Sequence, residues 1–235
     1  YSYLIKSSPN VYYEKSINFF QEDFIISHNS LGEQLIHKFF KSQNNSVLFF
    51  LEILDTIYAS NVINSPNIFL YKIYDKKNIV TISFKAHSEN VKCIIKTQDN
   101  HLISCGNNGY IKIWTIFDDN IFKNMENNTI INLNPLYEFK IDIKEIKDIK
   151  KMVYINENSF LSFSDKNIYL YNYIIKADKK EYKIDLIKIS KNIDIIDLII
   201  IKKENKESLI AVYNQNELYL LNINDLEIIK SIKLN

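Results

Sequence analysis

A three-strand phrase recurs along this chain and ends each time on an aromatic or large apolar residue. It constrains the fold more than any other feature. The closing runs are Leu70–Asp75 (LYKIYD), Ile111–Thr115 (IKIWT), Ile168–Asn172 (IYLYN) and Leu218–Asn222 (LYLLN), with a fainter copy at Leu35–Phe39. Tyr74, Trp114, Tyr171 and Leu221 take the shared closing position. Each closing run follows a second strand candidate: Phe24–Ser27, Thr56–Ser60, Leu102–Cys105, Phe160–Phe163 and Leu209–Tyr213. Each of these follows a first: Ile17–Phe20, Val47–Leu54, Val91–Ile95, Met152–Ile155 and Ile195–Ile201. An antiparallel sandwich also shows short strands with turns every ~8–12 residues. The phased recurrence instead favours a ring of repeated sheets, whose period is roughly 40–45 residues.

The sharpest copy is Lys85–Thr115, which holds the chain's single Trp, both Cys, two of the four His and two of the three Gly. An apolar strand runs through Val91, Cys93 and Ile95. A polar turn at Gln98–Asn100 precedes the strand Leu102–Cys105. A Gly-Asn-Asn-Gly turn then leads into Tyr110–Trp114. This segment resembles a WD repeat, the blade unit of the WD-repeat β-propeller family. His87 stands at the family's His, Ser104 at its strand-b Ser, and Ile111, Ile113 and Trp114 in its strand c. Ala86 replaces the Gly before the His, Asn108-Gly109 replaces Asp-Gly, and Thr115 replaces the final Asp. The resemblance implies a structural hydrogen-bond chain through His87, Asn108, Ser104 and Trp114. Asn108 departs from the family's acid, and an amide cannot give imidazole the charge-assisted bond of a carboxylate.

The expected fold is therefore all-β: one WD-type propeller over residues 1–235. It has about five recognisable four-stranded blades and could be part of a seven-bladed ring. The expected blades are 1–40, 47–84, 86–143, 144–189 and 194–234. Tyr1–Lys6 reads as a spare outer strand. Lys144–Met152 repeats Ile every third residue, which is not a strand period, and reads as a helical turn or an inter-blade loop. Asp118–Asn134 exceeds ordinary hairpin loops. It reads as an insertion loop, the most mobile segment and the most tolerant of deletion. Five blades close a ring poorly, so exposed blade faces are expected unless further blades or another subunit cover them.

Charge narrows the function classes. All 29 basic residues are Lys, and the formal net charge is +1. Arg is the bidentate reader of phosphate and guanine, so specific nucleic-acid binding is not expected. A non-specific grip needs a basic surplus; Lys140–Lys206 offers only 15 Lys against 11 acids. Phosphoinositide-binding propellers use a Phe-Arg-Arg-Gly motif, which an Arg-free chain cannot contain. No uncharged apolar run of about 18 residues predicts a membrane span, and Tyr1–Asn10 lacks the features of a signal peptide. The abundance of Asn supplies a residue that tolerates the left-handed turn conformation where Gly is scarce.

Candidates for chemistry are few. His87, Cys93, His101 and Cys105 lie close in sequence but lack the paired spacing of zinc ligands. They read as core residues of a reduced, cytoplasmic protein. Ser104 with His87, and Ser27 with His28, are the nucleophile–base candidates. The first pair is absorbed by the WD resemblance. The second is adjacent on a strand, where successive side chains point to opposite faces. No phosphate-binding or nucleophile-elbow loop is present. The expectation is a non-catalytic scaffold without metal or cofactor, holding other proteins in a multi-protein assembly. The alternative is a propeller that binds a ligand or membrane surface, or that uses its central channel for catalysis.

Overall fold

In the computed structural model, the described residues are 24–28, 34–38, 47–54, 56–62, 64–74, 79–115, 117, 119–141, 149–191, 193–203 and 206–234. Tyr1–Lys6, Ile17–Phe20 and most of Lys144–Ile149 lie outside them. Sheet I is a hairpin of β1 (Phe24–His28) and β2 (Gln34–Lys38). Sheet II is built from β3 (Val47–Leu54), β4 (Ile57–Val62), β5 (Asn67–Ile73) and β6 (Ile79–Lys85), in that order across the sheet. Sheet III contains β7 (Val91–Lys96), β8 (Leu102–Gly106), β9 (Tyr110–Trp114) and, after an insertion holding β10 (Thr129–Ile131), β11 (Tyr137–Lys140). Sheet IV comprises β12 (Lys151–Asn156), β13 (Ser159–Phe163), β14 (Asn167–Lys176) and β15 (Glu181–Lys191). Sheet V comprises β16 (Asp197–Lys203), β17 (Lys206–Tyr213), β18 (Glu217–Asn222) and β19 (Ile228–Lys233).

Sheets II to V are antiparallel meanders, and three apolar clusters join them in sequence order. One lies between II and III, around Leu70, Phe84, Leu102 and Trp114. The next lies between III and IV, around Ile103, Ile113, Phe160 and Tyr171. The last lies between IV and V, around Leu161, Phe163, Val212 and Leu221. Sheets III and IV are each packed between two neighbours, so their strands are apolar on both faces. Repeated four-stranded meanders stacked face to face are the architecture of a WD-type β-propeller. The turns use Asn as the composition suggests: Asn64, Asn100, Asn124 and Asn128 all adopt positive φ, as does Gly109.

Two expectations need correction. Tyr74 is not the counterpart of Trp114, for it is 53% exposed. The strand register shows why. Trp114 lies opposite Leu102 and Tyr171 opposite Phe160, each two residues before a buried Ser on the second strand. In sheet II that relation belongs to Tyr71, which lies opposite Tyr58, two residues before Ser60. The closing run LYKIYD holds two tyrosines, and pairing selects the earlier.

The second concerns the insertion, a strap that is not loop throughout but holds a 3-10 turn and a paired strand. A 3-10 turn at Asp119–Phe122 buries Phe122, and Phe117 stacks on Phe84 with ring centroids 5.7 Å apart. Strand β10 then pairs in parallel with β6 of the preceding sheet, Thr129 opposite Ile82 and Ile131 opposite Phe84. Asn128 N donates to Thr81 O (2.7 Å), and Thr81 N donates to Asn127 Oδ1 (2.9 Å). Lys72 Nζ, from the adjacent strand β5, binds Asp119. The segment looks polar in sequence because Asn residues separate its apolar ones. Ile121, Met125, Ile131 and Leu133 nevertheless pack on the core between sheets II and III.

Candidate functional site

His87 is held at the entrance to sheet III by the turn of sheet II. Pro66 O accepts from Ala86 N (2.9 Å) and His87 N (3.1 Å), and Ser65 O accepts from Val91 N (2.8 Å). Strand β6 therefore ends with the imidazole pointed at the second strand of the next sheet. Its Nε2 lies 2.8 Å from Ser104 Oγ, and its Nδ1 lies 3.3 Å from Asn108 Oδ1. Trp114 Nε1 donates to the same Ser104 oxygen (2.8 Å).

The protons in this chain follow from the partners. Asn108 Nδ2 donates to Ser88 Oγ (2.9 Å) and Tyr110 N donates to Asn108 Oδ1 (3.3 Å), which sets the amide orientation. His87 Nδ1 faces an acceptor and must carry the hydrogen. Nε2 then accepts from the Ser104 hydroxyl, whose oxygen accepts from the indole. Every group is satisfied with the imidazole neutral. Burial, helped by the nearby Lys112 ammonium and opposed by the bond to Asn108, pushes the His87 pKa down to about 4.

Gly106 completes the site, and sequence reasoning did not single it out. A Cβ there would lie 2.5 Å from His87 Nδ1 and 2.7 Å from Asn108 Oδ1. The imidazole edge thus occupies the space that any side chain would need. Gly106→Ala is expected to displace the ring and cost roughly 1–3 kcal/mol, as overpacking does. Urea denaturation of the variant tests this; an unchanged midpoint would refute it.

The same small-hydroxyl-to-aromatic contact recurs in the neighbouring sheets. Ser60 Oγ is 3.0 Å from Tyr71 Oη in sheet II, and Ser162 Oγ donates to Tyr171 Oη (3.2 Å) in sheet IV. Sheet V replaces both members: Val212 and Leu221 occupy the matching register positions, and both are buried. Removing both partners of a buried hydrogen bond leaves no orphan, so an apolar pair is tolerated where a single replacement would not be. In sheets III, IV and V this face always turns toward the preceding sheet.

This geometry suits bracing, not nucleophilic chemistry. Ser104 is fully buried, and its lone pair is engaged by Trp114. Ser27 and His28 sit at consecutive positions of β1, opposite Leu35 and Gln34. Cys93 and Cys105 are buried thiols, not joined in a disulfide, and lie directly opposite each other on β7 and β8. Burial lowers the His101 pKa, and among the described residues its Nδ1 has no hydrogen-bond partner. His87, Cys93, His101 and Cys105 do not converge: among the described residues no group of three or more His, Cys, Asp or Glu could hold a metal ion. Nor, among them, is any helix long and apolar enough to cross a membrane.

No protein-family model and no curated protein matches the sequence. The fold is similar to chains in solved structures of Polycomb Repressive Complex 2 from Chaetomium thermophilum. An inhibitor-bound, humanized mutant complex matches with a TM-score of 0.61 and 12% identity, over 81% of this chain and 48% of that one. A second humanized, inhibitor-bound complex matches at 0.59 and 12%, over 86% and 51%. The apo complex in an autoinhibited state matches at 0.59 and 12%, over 80% and 48%. The chain spans about half the length of these solved chains. At this identity the likeness is one of fold alone.

Proposed function

We propose that the protein is a non-catalytic propeller scaffold that docks other proteins within a multi-subunit assembly in the cytoplasm. The observation that carries this reading is the fate of the reactive side chains in the WD-like sheet. His87, Ser104 and Trp114 are buried, and with the half-buried Asn108 they form one chain of side-chain hydrogen bonds. What remains outside is a rigid frame with loops at two ends. The folds it is similar to belong to chains of a multi-protein complex, which agrees with this reading. The absence of Arg argues against phosphate recognition as the main role.

The test has two arms. On gel filtration of native extract under reducing conditions, the protein should elute well above its own mass, with defined proteins that crosslink to its loops. His87→Ala should lower stability by roughly 1–3 kcal/mol while leaving those crosslinks in place in the folded fraction. Elution at its own mass, together with a hydrolytic activity that Ser104→Ala abolishes, would overturn the proposal.

A further inference from the structure

Two thiols face each other inside sheet III. Cys93 on β7 and Cys105 on β8 are partners in the register, and residues directly opposite in an antiparallel pair share a face. Both belong to the core between sheets III and IV, together with Met152, Phe160 and Tyr171. The sequence holds no third cysteine to compete with this pair. The ladder fixes their spacing. Thr97 N donates to His101 O (2.9 Å), and hydrogen-bonded pairs recur every second residue along an antiparallel ladder. No register shift intervenes between Thr97 and Cys93, so Cys93 and Cys105 form a pair of that kind, with Cα atoms about 5.5 Å apart. Disulfides span Cα distances of about 4.4–6.8 Å, so the backbone already stands within bridging range. The Cβ atoms of such a pair lie about 5.5 Å apart. A relaxed disulfide wants about 3.8 Å, so closing the bond must draw the two strands together. The register shift between Val91 and Cys93 interrupts the ladder beside Cys93 and gives β7 a place to yield.

We infer that Cys93 and Cys105 form a reversible disulfide, a thiol switch built into the core between sheets III and IV. The oxidant is a small-molecule disulfide of the glutathione type. One cysteine thiolate attacks a sulfur of that disulfide and releases the first glutathione thiolate. The second cysteine thiolate then attacks the protein sulfur of the mixed disulfide and releases the other. Two protein thiols and one glutathione disulfide thus become one protein disulfide and two glutathione thiols. Burial selects the product. Cys93 is 0% and Cys105 1% exposed, so local opening must admit the oxidant, and the closed core has no room for a glutathione adduct. The internal bond adds no atom to that core and only removes two hydrogens. Strain makes the bond easy to reverse, since stretched disulfides are the readily reduced, regulatory ones. In a reducing compartment a disulfide of this transient kind is the one expected.

The test is overnight incubation of the native protein with excess glutathione disulfide, an acid quench, then alkylation in denaturant and mass spectrometry. The folded chain should lose two hydrogens and take up no alkylating group. Tryptic cleavage after Lys92, Lys96 and Lys112 should leave the peptides Cys93–Lys96 and Thr97–Lys112 joined. Excess reduced glutathione should return both thiols. Oxidation in denaturant should give less of the internal bond and more glutathione adduct, because the strands no longer hold the pair together. Cys93→Ala removes the resolving thiol, so in the folded variant Cys105 should stay unmodified; if that variant does not fold, the parent protein alone decides. Two alkylatable thiols after incubation, a stable glutathione adduct on the folded parent, or disulfides between chains would overturn the inference. So would an internal bond that survives excess reduced glutathione, since that is a permanent staple and not a switch.

Discussion

Replacing Trp114 by Ala is expected to cost about 3–5 kcal/mol, the range for removing a large buried aromatic. The indole is 1% exposed and meets Phe84 edge-on, with centroids 4.8 Å apart, in the core that joins sheets II and III. Its loss opens a cavity there and also leaves the Ser104 oxygen without its donor. Trp114→Phe separates the two effects. It keeps most of the ring but not the N–H, so about 1–3 kcal/mol is expected for the orphaned partner and the smaller volume. Equilibrium denaturation of both variants decides the matter. If Phe proves as damaging as Ala, the hydrogen bond dominates over packing; if Phe is neutral, the bond contributes nothing.

Acid should weaken the fold through His87. An unfolded His titrates near 6.5, whereas the folded imidazole titrates at about 4. Between these values the unfolded chain binds the proton and the folded chain does not, so stability falls as pH drops. The contribution is fully present above about pH 6.5. About 3 kcal/mol is lost by about pH 4. His101, whose pKa burial also lowers, acts in the same direction, so the His87 share is isolated by Asn108→Asp. A carboxylate opposite Nδ1 favours the imidazolium, and the Ser104 oxygen can accept from both rings. The Asp variant should lose distinctly less stability between pH 6.5 and 4.5 than the parent. Equal pH slopes for the two proteins would show that His87 does not control this window.

The fold was legible where residue types are distinctive. His87, Ser104 and Trp114 mark one sheet because a lone Trp, a buried Ser and a His at the right offsets rarely coincide, and their bonds close as the resemblance implies. Sheet II was harder: LYKIYD offers both Tyr71 and Tyr74, and local pattern cannot choose between tyrosines three apart. Only the opposition of Tyr71 to Tyr58 does so. The role of Gly106 is the absence of an atom, invisible until the imidazole is placed beside it. The strap escaped notice for a different reason. Parallel pairing of Thr129–Ile131 with β6 is non-local, and a three-residue strand among Asn residues has no periodicity to detect.

That strap imposes an order of events on the growing polypeptide. The outer edge of β6 stays open while β7, β8 and β9 are still being made, because the segment that seals it emerges later in synthesis. Until then Phe84 lacks Phe117, and the edge of the second sheet is a row of unpaired amides inviting the wrong neighbour. Completion of one repeat thus waits on its successor. The two should mature as a single kinetic unit, and a ribosome stalled before residue 129 should display a chain more prone to aggregation than one stalled after the strap has emerged.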